Sequence, residues 1–256
     1  MRYEILGPLQ VVNEEGESYL TAPKIEVVLA MLLIRVDHIV STEQLHREIW
    51  DDNPPRRAAA SLHVYVSQLR KFLRRPGEPA SPIVTRPAGY LLELRDDELD
   101  LVAFLDGVRR GQEYLRAGRC EYAVRATRAA LDLWRGPVLN DLPCGPVMTG
   151  FATWINEEQL HCVELLTDAQ LATGRHRELV GRLYALIVEH PLREAFYRQL
   201  MLALYRSDRQ ADALRVFDTA RGVLRRELGV DPCRSLRELR QAILTADDRL
   251  DRREVA

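Results

Sequence analysis

Lysine is almost missing from this chain: of its 36 basic side chains only Lys24 and Lys71 are lysines, the rest arginine. That bias suggests a GC-rich genome and says nothing about fold. Long apolar runs are missing too. None approaches the ~20 residues that cross a bilayer, and the opening MRYEILGPLQ lacks the basic-then-apolar pattern of an export signal. No membrane contact and a cytoplasmic location are therefore expected. The four cysteines (Cys120, Cys144, Cys162, Cys233) form no C-x-x-C pair. They read as reduced, semi-buried thiols, with a structural disulfide as the alternative. There is no G-x-x-x-x-G-K-S/T phosphate loop, no H-E-x-x-H and no G-x-S-x-G elbow. His161-Cys162 lacks further ligands at metal spacing. Paired carboxylates such as Asp51-Asp52 and Asp247-Asp248 lie in polar stretches and read as solvated charge. No catalytic residue, metal or cofactor is expected, and the chain is not read as an enzyme.

What is there concentrates in residues 56–90. Seven positive side chains (Arg56, Arg57, Arg70, Lys71, Arg74, Arg75, Arg86) face one negative one, Glu78, in a chain of net charge −2. The offsetting acid lies elsewhere, in ELRDDELD (93–100) and ADDRLD (246–251). Such separation suits one module for nucleic acid and another for protein. A solvated surface helix is the alternative for the basic run.

In chain order, Tyr3–Leu6, Leu9–Val12 and Tyr19-Leu20 predict about three short strands, with a turn at Asn13-Glu14-Glu15-Gly16. A first helix covers 24–35. Ser41 offers an N-cap for a second, running to about Trp50. Asp51-Asp52-Asn53-Pro54-Pro55 breaks it, and a third runs from about Arg57 to Arg75, closed by Pro76-Gly77. On a helical wheel Ala58, Leu62, Val66, Leu69 and Leu73 form one stripe flanked by Tyr65 and Phe72. Arg57, Ala60, Val64, Ser67, Gln68, Lys71, Arg74 and Arg75 fall opposite. Val64 on that wet face suits a thymine methyl, or is simply a tolerated exposed valine. Ile83–Arg86 and Tyr90–Leu92 then predict a two-stranded wing. The segments V64-Y65-V66-S67-Q68-L69-R70-K71 and I83-V84-T85-R86-P87-A88-G89-Y90 resemble the winged-helix output domain of the OmpR and PhoB type, familiar from two-component systems. A domain over 1–94 follows.

From about residue 100 the pattern is helical. Gly118–Ala123, Gly174–Leu179 and Asp208–Ala213 align without gaps, and small residues recur at Ala130 and Ala220, with Leu186 in the middle unit. The step from Gly174 to Asp208 is a tetratricopeptide period. The longer step from Gly118 implies an insertion holding Trp134-Arg135-Gly136-Pro137 and Leu142-Pro143-Cys144-Gly145-Pro146. Unrelated helical hairpins are the alternative. The expected fold is mainly α with small β, a winged helix-turn-helix followed over 99–250 by an all-α tetratricopeptide-like domain. With H190-P191-L192-R193-E194, R206–L214 and R225-R226-E227-L228-G229-V230-D231-P232, the chain is similar to the Streptomyces antibiotic regulatory protein family, whose second part is the bacterial transcriptional activation domain.

Helical geometry assigns base contacts to Ala60, His63, Val64, Ser67 and Gln68, with Gln68 able to bind adenine bidentately. Arg57, Arg70, Lys71, Arg74 and Arg75 are assigned to phosphates, and Thr85 and Arg86 to the wing. The resemblance implies an activator of antibiotic or other secondary-metabolite genes that binds double-stranded DNA at direct repeats, as a homodimer on DNA. It also implies contacts with RNA polymerase through the principal sigma factor and the C-terminal domain of the alpha subunit. A ligand-responsive repressor and a protein-binding tetratricopeptide scaffold are the rival readings.

Overall fold

The structure, a computed structural model, describes residues 1–13, 16–20, 22–51, 53–75, 81–139, 142 and 145–250. Parts of the predicted Asn13–Gly16 turn and Asp51–Pro55 break, the Pro76-Gly77 helix stop, Glu78, and Pro143-Cys144 of the insertion lie outside them. The chain divides into two compact units. One is Met1–Asp106 with Ala130–Gln159, the other Gly107–Ala129 with Leu160–Ala256.

The first unit opens on β1 (Arg2–Glu4), β2 (Gln10–Asn13) and β3 (Gly16–Ser18), an antiparallel sheet with Tyr3 opposite Val11. Three strands are as predicted, but the third precedes Tyr19, whose exposed ring bonds Gln10 and Glu17 through its hydroxyl. Next, α1 (Pro23–Ile34) begins on a proline that needs no N–H there and buries Ile25 and every residue from Val27 to Leu33. Burial on all sides makes it the central helix of the unit. After β4 (Val40–Ser41), α2 (Thr42–Trp50) starts on a capping box. The Ser41 hydroxyl accepts from the Gln44 N–H at 3.1 Å, and the Gln44 side chain accepts from the Ser41 N–H at 3.0 Å.

Helix α3 (Ala58–Phe72) packs on α1 and α2, and β5 (Ile83–Arg86) and β6 (Gly89–Leu92) form the hairpin behind it. The predicted two-stranded wing is a three-stranded sheet, because β4 adds to β6. That pairing requires Gly89, where a Cβ would stand 2.0 Å from the Val40 carbonyl oxygen. A two-residue strand, β7 (Glu98–Leu99), then pairs parallel with β1. It carries no sequence signal, since two residues show no alternation.

Helices α4 (Asp100–Arg116), α5 (Cys120–Leu131), α6 (Pro146–Ala172), α7 (His176–Glu189), α8 (Glu194–Tyr205), α9 (Gln210–Leu228) and α10 (Arg234–Leu244) follow. The predicted repeat is visible in its turns. Gly118, Gly174 and Asp208 have φ of 68°, 84° and 63°. The next N–H groups, of Arg119, Arg175 and Arg209, each reach back five residues to the carbonyls of Tyr114, Gln170 and Leu204. Three identical left-handed helix ends thus precede α5, α7 and α9. Ala123, Leu179 and Ala213, which align in sequence, are all buried. Cys120, Cys162 and Cys233 are free thiols.

The predicted insertion does not project from the repeats. Residues 130–159 belong to the first unit, where the Arg135 and Leu139 N–H groups donate to the carbonyls of Leu6 and Gly7 at 2.9 and 3.2 Å. Arg135 also pairs with Glu4 at 3.0 Å. Buried Glu48 accepts from the first N–H groups of α6, Val147 at 2.6 Å and Met148 at 3.3 Å. Its carboxylate thereby caps a helix N-terminus.

Candidate nucleic-acid interface

Helix α3 divides as its sequence predicts. Ala58, Leu62, Val66, Leu69 and Leu73 are buried, while Ala60, His63, Val64, Ser67, Gln68, Lys71 and Arg74 are exposed. Val64 is 51% exposed on that face. The flank of the stripe is fixed by stacking. Tyr65 lies on Trp50 with ring centroids 6.1 Å apart, and the Lys24 ammonium sits 5.5 Å from the Trp50 ring. These contacts clamp α1, α2 and α3 together and aim the exposed face.

At the start of α3 the cap residue Arg57 makes no side-chain cap bond, no acid stands in the first turn, and Arg56 and Arg57 are exposed. The positive end of the helix dipole is therefore open to an anion, and three alanines leave room for a phosphate to approach.

The arginines assigned to phosphates separate into two groups. Arg57, Lys71 and Arg74 are exposed. Arg70 is a strap instead: its Nε and Nη2 both donate to the Ile83 carbonyl at 3.1 Å, and Nη2 donates to the Thr85 hydroxyl at 2.7 Å. It ties the helix to the wing strand. Arg75 is paired with Asp97, whose other oxygen takes the Met1 amine at 2.7 Å. Burial alone would raise the Asp97 pKa, but Arg75 and that amine outweigh it and hold the carboxyl below its ordinary range. The neighbouring Tyr3 hydroxyl is pushed up by burial and by the Asp97 charge. Thr85 and Arg86 are exposed on the wing, with Glu93 3.8 Å from Arg86. His63 shares a 2.8 Å hydrogen bond with the buried Tyr90 hydroxyl, so one ring nitrogen is occupied and the ring is held in place.

Tyr90 and Asp97 were not among the predicted site residues. Gly-Tyr in the wing turn and the acidic stretch after it were the available signals, and neither says which basic group it meets. Elsewhere in the first unit, a cavity of about 180 Å³ is lined by Pro8, Leu9, Tyr19, Leu20, Leu139 and neighbours. It is below the ~300–1,000 Å³ of typical small-molecule sites. Among the described residues no cluster of metal-ligating side chains occurs, and no helix is long and apolar enough to cross a membrane.

An amphipathic helix with a polar outer face, braced by a β-wing and followed by repeated helical hairpins, defines a winged-helix transcriptional regulator with an attached helical domain. Residues 16–92 match the description "Transcriptional regulatory protein, C terminal", and residues 99–244 match "Bacterial transcriptional activator domain". The chain belongs to the Streptomyces antibiotic regulatory protein family. It is 34% identical to the regulatory protein DnrI of Streptomyces peucetius, covering 98% of this chain and 95% of the relative. It is 39% identical to the transcriptional regulatory protein EmbR of Mycobacterium tuberculosis, over 94% of this chain and 63% of EmbR's length. It is also 39% identical to AfsR of Streptomyces coelicolor, over 98% of this chain but 25% of AfsR. The solved structure of Mycobacterium tuberculosis EmbR in complex with a low-affinity phosphopeptide superposes with a TM-score of 0.91 at 38% identity, covering 96% of this chain and 65% of that one.

Proposed function

We propose that this protein is a sequence-specific DNA-binding activator that lays α3 in the major groove. The observation that carries the reading is the outer face of α3, where exposed Val64 stands among Ala60, His63, Ser67 and Gln68 while the leucine stripe is buried. Those five side chains read base edges. Arg57, Lys71, Arg74 and the open start of α3 hold phosphates, and Thr85 and Arg86 bring the wing to the backbone. Arg70 and Arg75, both already bonded, act mainly by fixing the wing and the sheet around α3.

On the same reading the protein binds direct repeats roughly one helical turn apart, two copies side by side on one face of the duplex. It works in the cytoplasm on the nucleoid and raises transcription of secondary-metabolite genes by recruiting RNA polymerase through the principal sigma factor and the C-terminal domain of the alpha subunit. The functional modules are residues 1–94 and 99–250, and no catalysis is involved. A recruitment contact of ~1.4 kcal/mol is enough for a tenfold rise in occupancy.

The test is a binding titration on operator and on random DNA at several salt concentrations. Gln68→Ala should cost about 1–3 kcal/mol on the operator and little on random DNA, whereas Arg74→Ala should weaken both alike and flatten the salt dependence. Affinity indifferent to salt would refute the DNA reading. Equal losses for Gln68→Ala on both DNAs would remove it from the base-reading set.

A further inference from the structure

Helix α7 is apolar on two opposite faces. Leu179, Leu183 and Ile187 point into the second unit and are buried. On the other side Gly181, Tyr184, Ala185 and Val188 fall in line, and all four are exposed. Val188 is 78% exposed, more than any other large apolar side chain among the described residues. Single apolar residues on a surface are ordinary, but four in one stripe mark a contact face. A Cβ at Gly181 would meet nothing within 4 Å, so nothing inside the chain calls for a glycine there. A backbone approaching from outside would.

The charges beside the stripe say what covers it. Arg182 and Glu189 lie two helical turns apart on the same flank, both exposed. Neither side chain is in a hydrogen bond or an ion pair among the described residues. Arg182 stands instead near Arg128, and partial burial together with that like charge lowers its pKa.

We propose that α7 is a self-association surface, on which two copies of this chain pack α7 against α7, antiparallel across a two-fold axis near Ala185, in the absence of DNA. In that arrangement Arg182 of each copy meets Glu189 of the other, so both unpaired charges are satisfied twice over by one symmetry operation. Tyr184 of one copy lies against Val188 of the other, and Gly181 and Ala185 let the helices come close. One helix face is a small interface, so association in the micromolar range is expected. The inference stands independently of the DNA reading and concerns the free protein.

Sedimentation velocity on the full chain without DNA, from about 1 to about 200 μM, tests it over the span where a micromolar dimer appears. The expected result is a concentration-dependent monomer–dimer equilibrium that Val188→Lys weakens on the order of tenfold or more, as loss of a central contact does. Arg182→Glu and Glu189→Arg should each weaken it, and the two together should restore it, because the exchange preserves the reciprocal pairs. All three side chains are exposed, so thermal melting of the variants should match the parent. A monomer throughout the range would overturn the proposal. So would a dimer indifferent to Val188→Lys, or a double charge exchange no better than either single one.

Discussion

Val64 stands out in solvent on α3 while Val66, two residues on, is buried, and the difference is only the helical rotation between them. At this scale exposure was legible in the sequence for all five base-reading candidates, because a 3.6-residue period fixes which side chains share a face. Hydrogen-bond partners were not legible. Arg70, Arg74 and Arg75 look equivalent in sequence, yet one is a strap, one is exposed on the surface and one meets Asp97. The Asp97 pair has a consequence for pH. Its folded pKa lies below the ordinary value, so its contribution is complete above about pH 4 and is lost as pH falls through the depressed value. Asp97→Asn should therefore lower the urea midpoint at pH 7, with the gap to the parent shrinking only as the pH is taken below the ordinary carboxylate range of about 4 and the parent's carboxyl protonates. A gap of constant size across that range would show that Asp97 contributes through shape and not charge.

Among elements, the helices were the most legible and the sheets the least. Ser41 and Gln44 announce α2 because a capping box is a local bond, closed within four residues. The wing hairpin was readable for the same reason. That β4 would join it was not, since Val40 meets Tyr90 across fifty residues of chain and a two-residue strand has no pattern of its own. Gly89 marks the junction. Gly89→Ala should destabilise the first unit, by about 2 kcal/mol or more, because the methyl group would drive into the Val40 carbonyl and part β4 from β6. Chemical denaturation measures the cost, and amide exchange at Thr42, which donates to the Ala88 carbonyl, should rise with it. An unchanged midpoint would mean that the sheet yields without loss. In the second unit the repeat was legible through its turns, where glycine twice and aspartate once accept a left-handed conformation that most residues avoid.

At the scale of the whole molecule, residues 130–159 close the first unit, although the sequence read part of them as an insertion between repeats. Leu6, Gly7, Glu4 and Glu48 all take hydrogen bonds or ion pairs from them. A fragment ending at Leu99 is thus expected to be less stable than the same residues in the full chain. Glu48 would be left with a carboxylate shaped to cap a helix that is missing, and the Leu6 and Gly7 carbonyls between β1 and β2 would lose their donors. Hydrogen exchange on α1 and α2 in fragment and full chain provides the comparison. Equal protection in both would mean that the contacts from 130–159 add nothing.

The sequence alone determined the helix faces, the caps, the repeated turns and the family, because each is written in residues close together along the chain. Tertiary structure decided which arginines are tied to the wing or to Asp97, which residues complete the first unit, and that α7 keeps an apolar side in solvent. Those outcomes depend on partners tens of residues away, brought within 3–4 Å only after the chain has packed, and no local period encodes them.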